Sequence, residues 1–325
     1  MGATTPQLIE PMRAVLVDAV PDDDDRWSYE IKWDGMRAIA VVEHGVLRLH
    51  TANLLDATDR FPELQALAAA IAPRTAVLDG EIVTLDDRGI PDFGRLQPRI
   101  QAHSPASVQQ AAARQPVVYV LFDLLALDGR DLTALPYEQR RSMLRDLITP
   151  GPAWRVTEAW TGGGRELLEV MRDRGLEGLI AKRLGSRYEP GRRSGAWRKL
   201  KVRQQQELVV GGWLPGKGAR LPTFGALLVG YIDGPSLRYA GRVGTGFDHR
   251  ELHELRRLLD ARSTDRCPFD PPPPAAVRKL ARWSEPTLVV EVAFREWTAD
   301  GILRQPVYLG QRIDKDPSQV VREQA

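Results

Sequence analysis

Residues 29–37 read Tyr-Glu-Ile-Lys-Trp-Asp-Gly-Met-Arg. Apolar and polar side chains alternate up to Lys32, which calls for a half-buried strand, and Gly35 turns the chain just beyond it. Lys32, Asp34 and Arg37 are therefore expected on a tight strand end facing one site. A lysine held there can act as a nucleophile. Its amine attacks only when deprotonated, so the site must lower its pKa through nearby cations, desolvation or a metal ion, while a neighbouring acid orients it or holds the metal. The same peptide also suits a solvated strand end before a hairpin, and the rest of the chain decides between the two.

At 325 residues, 43% hydrophobic and 27% charged, the chain is large enough to bury two cores. A single cysteine, Cys267, forbids an internal disulfide, and five scattered histidines offer no zinc-ligand spacing. Any metal is accordingly expected to be oxygen-bound, as magnesium or manganese. No run of about 18 apolar residues could span a membrane, and residues 1–12 lack the parts of a secretory signal, so the expectation is a cytoplasmic protein. A net charge of +2 permits nucleic acid without requiring it. The distribution says more: Arg183, Arg187, Arg192, Arg193, Arg198, Lys199, Lys201 and Arg203 crowd one region, with Tyr188 and Trp197 among them.

Residues 8–25, ending in four consecutive aspartates, read as a solvated loop, because exposed neighbouring carboxylates repel one another and make a poor metal site. Strands follow at 27–32, 36–42 and 46–51, with His44-Gly45 turning between the last two, and Phe61-Pro62-Glu63 opens a helix to about residue 71. Residues 75–85 set Asp79-Gly80-Glu81 among apolar neighbours. A buried strand carrying acids needs cations or donors to answer them. Residues 117–125 repeat the pattern with Phe122-Asp123. A helix is expected at 135–147, and the triglycine 162–164 reads as a linker before another helix at 165–174, since it lacks the lysine and hydroxyl residue of a phosphate-binding loop. Glu177 and Lys182 then bracket an apolar strand, and 197–202 alternates so that Lys199 and Lys201 share one face. Two lysines on one face repel unless an anion lies between them, and phosphate is the natural candidate.

In this order and at these separations, K-x-D-G-x-R, D-G-E, F-D, E-G-x-x-x-K and W-x-K-x-K resemble the nucleotidyltransferase motifs of ATP-dependent DNA ligases. Beyond residue 203, Gly211-Gly212-Trp213, Phe224-Gly225-Ala226-Leu227-Leu228, the glycine-rich run from Tyr239 to Phe247 and Glu296-Trp297-Thr298 resemble the oligonucleotide-binding domain of bacterial ligases of the C and D types. Arg312-x-Asp314-Lys315 resembles the last ligase motif. No polymerase, nuclease or further DNA-binding motif is legible, so the chain most resembles a stand-alone bacterial ligase C.

The resemblance implies an α+β architecture: an ATP-grasp-like nucleotidyltransferase (adenylation) domain over residues 1–203, then an all-β OB-fold domain over 204–325. It implies that Lys32 attacks ATP to form lysyl-AMP, that AMP passes to the 5'-phosphate of a DNA nick, and that the 3'-hydroxyl displaces it. Glu30, Ile31, Arg37, Glu81, Phe122, Glu177, Leu179, Lys182, Trp197, Lys199 and Lys201 would line the nucleotide site. Among them, Phe122 would stack on adenine opposite Leu179 or Ile180, and Arg37 and Glu81 would hold the ribose or the adjoining site. Asp34, Glu81 and Glu177 would place the metal ion, and Lys182, Lys199 and Lys201 would neutralise phosphates. Arg312 and Lys315 would oppose the leaving pyrophosphate when the barrel closes, with residues 204–206 as hinge. The implied partner is nicked duplex DNA gripped by its backbone, with repair proteins in trans, and the implied state is a monomer.

One position departs from that pattern. The arginine of the family's S-R-N or S-R-x-G segment falls on Ala52, and Arg48 and His50, on the same strand face, are the expected substitutes. The same lysine chemistry serves RNA ligases and mRNA-capping guanylyltransferases, and a barrel with a basic groove would also make a non-catalytic DNA-binding scaffold. A scaffold, however, has no need of buried acids facing lysines.

Overall fold

Alternating sequence becomes two sheets in the first half of the chain. The computed structural model describes residues 8–202 and 204–323, and these fall into two compact units, 8–202 and 204–323. In the first unit, β1 (Arg13–Leu16), β2 (Trp27–Ile31), β9 (Ala159–Thr161), β10 (Gly178–Arg183) and β11 (Arg193–Lys201) form a sheet in the order β1-β11-β10-β2-β9. The other sheet runs β4-β3-β5-β6-β7, with β8 beside β6: β3 is Met36–Glu43, β4 Val46–Thr51, β5 Ala76–Val83, β6 Val118–Leu127, β7 Arg130–Asp131 and β8 Trp154–Val156. The expected turn between β3 and β4 forms with both His44 and Gly45 at positive φ, the geometry that matches strand twist in a two-residue hairpin.

Strand periodicity divides the first sheet into two chemically different faces. Trp27, Tyr29, Leu179, Ala181 and Leu200 pack with Met171 of α5 (Gly164–Arg174) in one apolar cluster. The opposite face carries Glu30, Ile180 and Lys199, which are cross-strand neighbours, together with Lys182 and Trp197. This polar face looks toward the second sheet. Ile39, Val41, Val77 and Leu125 of that sheet share a buried cluster with Met12, Tyr188 and Trp197. The outer side of the second sheet is covered by helical segments, where the expected helix at 61–71 is a 3-10 turn, Pro62–Gln65, continuing into α1 (Ala66–Ile71). The remaining helices of this unit are α2 (Phe93–Ile100), α3 (Pro105–Arg114) and α4 (Tyr137–Leu147).

Two glycines fix how closely the functional strands approach. A Cβ at Gly35 would lie 2.3 Å from the Ile82 carbonyl oxygen, and one at Gly178, where φ is +152°, would lie 1.9 Å from that of Leu200. No side chain fits either place, which is why glycine follows both Asp34 and Glu177.

Residues 8–25 are more than a solvated loop. They contain the edge strand β1, parallel to β11, and Asp24 accepts hydrogen bonds from the Gly163 amide (2.7 Å), the Gly164 amide and the Tyr29 hydroxyl. The triglycine is likewise no loose linker: Gly162 and Gly163 take left-handed φ values of 69° and 72° and turn the chain into α5, whose exposed amides Asp24 caps. The acidic run therefore serves a helix N-terminus.

The second unit is built on an antiparallel sheet in the order β14-β13-β12-β16-β15, with β19 beside β16. Its strands are β12 (Gln205–Pro215), β13 (Phe224–Asp233), β14 (Ser236–Val243), β15 (Ser263–Thr264), β16 (Arg282–Ala293) and β19 (Val307–Gln311), and a small ribbon pairs β17 (Glu296–Trp297) with β18 (Leu303–Arg304). The helix α6 (His249–Asp260) interrupts the strands and buries Leu252, Leu255 and Leu259 against Leu208, Phe224 and Val290, while α7 (Ala275–Arg278) is a single turn. This is the expected OB-fold arrangement. The expected hinge at 204–206 is different: Gln205 and Gln206 are buried and laddered to Ala293 and Val292. Among the described residues no helix is long and apolar enough to cross a membrane.

Replacing Asp24 with alanine removes the cap of α5 and a partner of Tyr29, and is expected to cost about 1–2 kcal/mol of unfolding free energy. Urea denaturation followed by tryptophan fluorescence measures this; an unchanged midpoint would show that the cap contributes nothing.

Candidate active site

Lys32 lies one residue past β2, where its backbone amide donates to the Gly178 carbonyl (2.9 Å). That bond sets it beside Glu177, and the Lys32 ammonium donates to the Glu177 carboxylate. Burial pulls the amine's pKa down more strongly than any other single influence, but Glu177, then Asp34 and Glu81, together outweigh it and hold Lys32 above an ordinary lysine. The sequence led us to expect a lowered pKa. The chain alone does the opposite, because three carboxylates surround the amine, and positive charge arriving with a ligand is what would release it.

Asp34, Glu81 and Glu177 thus cluster in their electrostatic effect. They do not make a metal cage: among the described residues no three acidic, histidine or cysteine side chains are gathered tightly enough to hold an ion. Their donor chemistry still fits a hard cation that takes one or two carboxylates and completes its shell with phosphate and water.

The pocket walls come from the facing sheets. Arg37 of β3 donates two bonds to Asp79 of β5, Nε to Oδ1 (3.0 Å) and Nη2 to Oδ2 (2.6 Å). Asp79 is completely buried and also accepts from the Tyr188 hydroxyl (2.7 Å), which itself accepts from the Met12 amide (2.9 Å). Arg37 is therefore clamped by Asp79, while Glu81 is its cross-strand neighbour. The Arg37 guanidinium lies 5.4 Å from the Phe122 ring centre and 5.5 Å from that of Trp197. Phe122, half-buried, meets Trp197 edge-on at 6.1 Å.

Beneath these rings, Lys182 corrects its expected role. Its ammonium is buried, 4.2 Å from the Trp197 ring centre and 4.6 Å from that of Phe122; it donates to the Phe122 carbonyl (2.9 Å) and pairs with Glu30 at 3.0 Å. Burial lowers its pKa and Glu30 opposes that shift. Glu30 also accepts from the Tyr137 hydroxyl (2.6 Å) and from Arg141 (3.2 Å). Lys182 is thus engaged beneath the pocket rather than extended into it, and the Glu30 carboxylate is held there by Lys182, Tyr137 and Arg141. Leu179 and Ile31 are corrected too, because both face the apolar cluster around Trp27 and Met171. Ile180 is the apolar side chain on the pocket face, directly across from Lys199. Lys199 and Lys201 share that face and are half-buried.

Sequence reasoning missed the supports of this pocket. Asp123 forms a completely buried two-bond ion pair with Arg140 of α4 (2.7 and 2.9 Å). A signal existed: Tyr137, Arg140, Arg141 and Leu144 recur at helical spacing on the face that also buries leucine, where polar residues need partners. Arg48 and His50 sit across from Val41 and Ile39, on the sheet face that includes Arg37. Arg48 is exposed, and His50 is half-buried with its Nδ1 buried and without a hydrogen-bond partner.

In the second unit, Arg312 is not a cation held out toward ligand. It is buried, donates two bonds to Asp314 (3.0 and 2.9 Å) and one to Glu291 (2.9 Å), and lies 3.5 Å from Glu207. Lys315 pairs with Glu207 at 2.9 Å and stays partly exposed. The guanidinium is committed because buried carboxylates need a counter-charge, and Arg312 supplies one to Asp314 and Glu291.

A family profile described as "ATP dependent DNA ligase domain" matches residues 6–201, and one described as "ATP dependent DNA ligase C terminal region" matches residues 220–315. The chain belongs to the ATP-dependent DNA ligases. It is 43% identical over 299 residues to the multifunctional non-homologous end joining DNA repair protein LigD of Mycobacterium tuberculosis, a match covering 92% of this chain and 38% of that protein. Against the corresponding protein of Pseudomonas aeruginosa it is 37% identical, covering 98% of this chain and 37% of the relative. The chain thus spans less than half the length of these curated relatives. A solved structure of mycobacterial DNA ligase D complexed with ATP and MES matches at 39% identity, 97% coverage of this chain, 98% of the other and a TM-score of 0.68.

Arg312→Ala is expected to destabilise the second unit by about 3–5 kcal/mol, since it removes a buried counter-charge from Asp314 and Glu291. The loss should depend on pH with a defined sign. Burial by itself raises the pKa of Asp314, but Arg312, and after it Lys315, outweigh burial and depress it. A depressed carboxylate adds stability above its unfolded pKa and gives it up as pH falls through the folded value. Wild type and variant should therefore differ most near neutrality and converge only as pH falls below about 4 and through the depressed Asp314 value. Chemical denaturation at several pH values measures this; a difference independent of pH would remove the ion cluster from the explanation.

Proposed function

We propose that the chain seals nicks in duplex DNA in three phosphoryl transfers, with Lys32 as the covalent carrier of AMP. The observation that carries this reading is the Lys32 ammonium held against Glu177 at the mouth of a pocket walled by Phe122, Ile180 and the Arg37–Asp79 pair. In the first transfer the Lys32 amine bonds to the α phosphorus of ATP and the bond to the β-phosphate oxygen breaks, releasing pyrophosphate. The proton leaving the amine has an acceptor in place, the Glu177 carboxylate to which it already points. In the second, an oxygen of the nick 5'-phosphate attacks the AMP phosphorus and the P–N bond returns its electrons to Lys32. In the third, the 3'-hydroxyl attacks the activated 5'-phosphate and AMP departs.

Positioning and charge neutralisation carry such transfers. Phe122 offers a ring face for adenine, Ile180 the opposite wall, and Lys199 and Lys201 the phosphate charges. A magnesium or manganese ion held by one or two of Asp34, Glu81 and Glu177 would supply the positive charge that weakens their hold on the Lys32 proton. The carboxy-terminal match supports DNA rather than RNA as the substrate, since the profile covering residues 220–315 is that of DNA ligases. Repair proteins acting in trans are the further partners in this reading. We read the working form as a cytoplasmic monomer.

Incubation with α-labelled ATP and a divalent metal tests the first transfer. Wild type should acquire covalent AMP and Lys32→Ala none, while keeping its circular dichroism; a folded Lys32→Ala that labels normally would sink the assignment. The replacement of the family's arginine by Ala52 is tested on a nick already carrying 5'-AMP. Arg48→Ala should seal it at least several-fold more slowly and Ala52→Arg no more slowly than wild type. Equal rates for Arg48→Ala and wild type would exclude Arg48 from receiving the nick phosphate.

A further inference from the structure

The loop between β10 and β11 carries two guanidinium groups that the fold does not use. Arg187 and Arg192 are both exposed, and among the described residues neither side chain is engaged by a carboxylate, carbonyl or ring. Their basic neighbours are occupied: Arg193 donates to the Ala14 carbonyl (2.9 Å), Arg198 lies 4.5 Å from the Trp27 ring centre, and Arg183 faces Asp23 at 4.0 Å. Arg187 and Arg192 instead flank an open groove of about 360 Å³, completed by Thr133, Ala134, Tyr188 and the Glu189-Pro190 pair.

The groove is built on a fixed floor. The Tyr188 amide donates to the Thr133 carbonyl (2.9 Å), its hydroxyl is anchored on Asp79, and Arg140 reaches the Ser186 carbonyl (3.2 Å) from below. The one acid at its edge, Glu189, accepts from the Ser194 hydroxyl (2.7 Å). Two like charges beside one groove repel, and neither contributes to the fold through a partner, so an anion between them is what relieves the repulsion. Because the floor is pinned by the buried network under the pocket, seating that anion requires little ordering of the backbone.

We propose that this groove seats the phosphodiester backbone of the duplex, with Arg187 and Arg192 each neutralising a phosphate. The proposal rests on the ligase reading above and adds a place where the adenylation unit holds its substrate. Guanidinium forks match phosphate oxygens and read no base, as an enzyme acting on any sequence needs. The groove's open shape and small volume suit a strand lying along it better than an enclosed small molecule.

Binding of a fluorescent nicked duplex to wild type and to the Arg187→Ala/Arg192→Ala double variant, followed by anisotropy over a range of salt, tests the proposal. The variant should bind about tenfold or more weakly in low salt, and the slope of log K against log salt should shrink by roughly 2, the value for two lost phosphate contacts. Arg187→Lys/Arg192→Lys should keep the wild-type slope. Self-adenylylation from ATP, a step without DNA, should be unchanged in both variants and so report an intact fold. An unaltered affinity and slope in a variant that still self-adenylylates overturns the groove, as would weaker binding of an acidic peptide with DNA binding untouched. Sealing by wild type in the same samples judges the ligase reading separately: a wild type that binds the nick and never seals it overturns that reading and leaves the binding comparison to decide the groove.

Discussion

Carboxylates buried between two sheets set the terms for everything else in the first unit. Glu30, Asp79 and Asp123 are withdrawn from solvent, and an ionised carboxylate there without a counter-charge would cost several kcal/mol. Each is answered from another element: Glu30 by Lys182 of β10 and Arg141 of α4, Asp79 by Arg37 of β3 and Tyr188 of the β10–β11 loop, Asp123 by Arg140 of α4. These obligations tie both sheets to α4 and to one another. The pocket is rigid where its charges are paired, and Phe122 and Trp197 rest on that paired layer rather than on apolar packing alone.

The consequence is a division of labour among like residues. Lys182, Arg37, Arg140 and Arg312 are cations spent on holding carboxylates. Lys32 stands at the pocket mouth, its charge maintained by the acids around it. An amine held protonated by Glu177 is not nucleophilic, and in the proposed reaction positive charge arriving with the ligand would have to loosen that hold.

Much of this was legible from residue order. Alternation located β2, β3, β4, β5, β6 and β10 to within a residue or two, and the run of short motifs carried the family. The acids of 79–81 announced that they required partners without saying which. Where the sequence misled, the cause was specific: Lys182 looked open to the pocket because a lysine near an acid in a strand carries no mark of depth, and the aspartates of 22–25 looked purposeless because the amides that Asp24 caps lie almost 140 residues away.

Local pattern depends on neighbours within a few positions, and that is what the sequence by itself determined: the strands, their apolar faces, the lysine at a strand end and the family. Which face of β10 meets the ligand, leaving Ile180 in the pocket and Leu179 in the core, depends on which side α5 covers. Whether Arg312 and Lys182 are free or committed depends on carboxylates brought up from elsewhere in the chain. Those choices belonged to the tertiary structure, because the energy of a charge is set by its burial and by the partners folding places beside it.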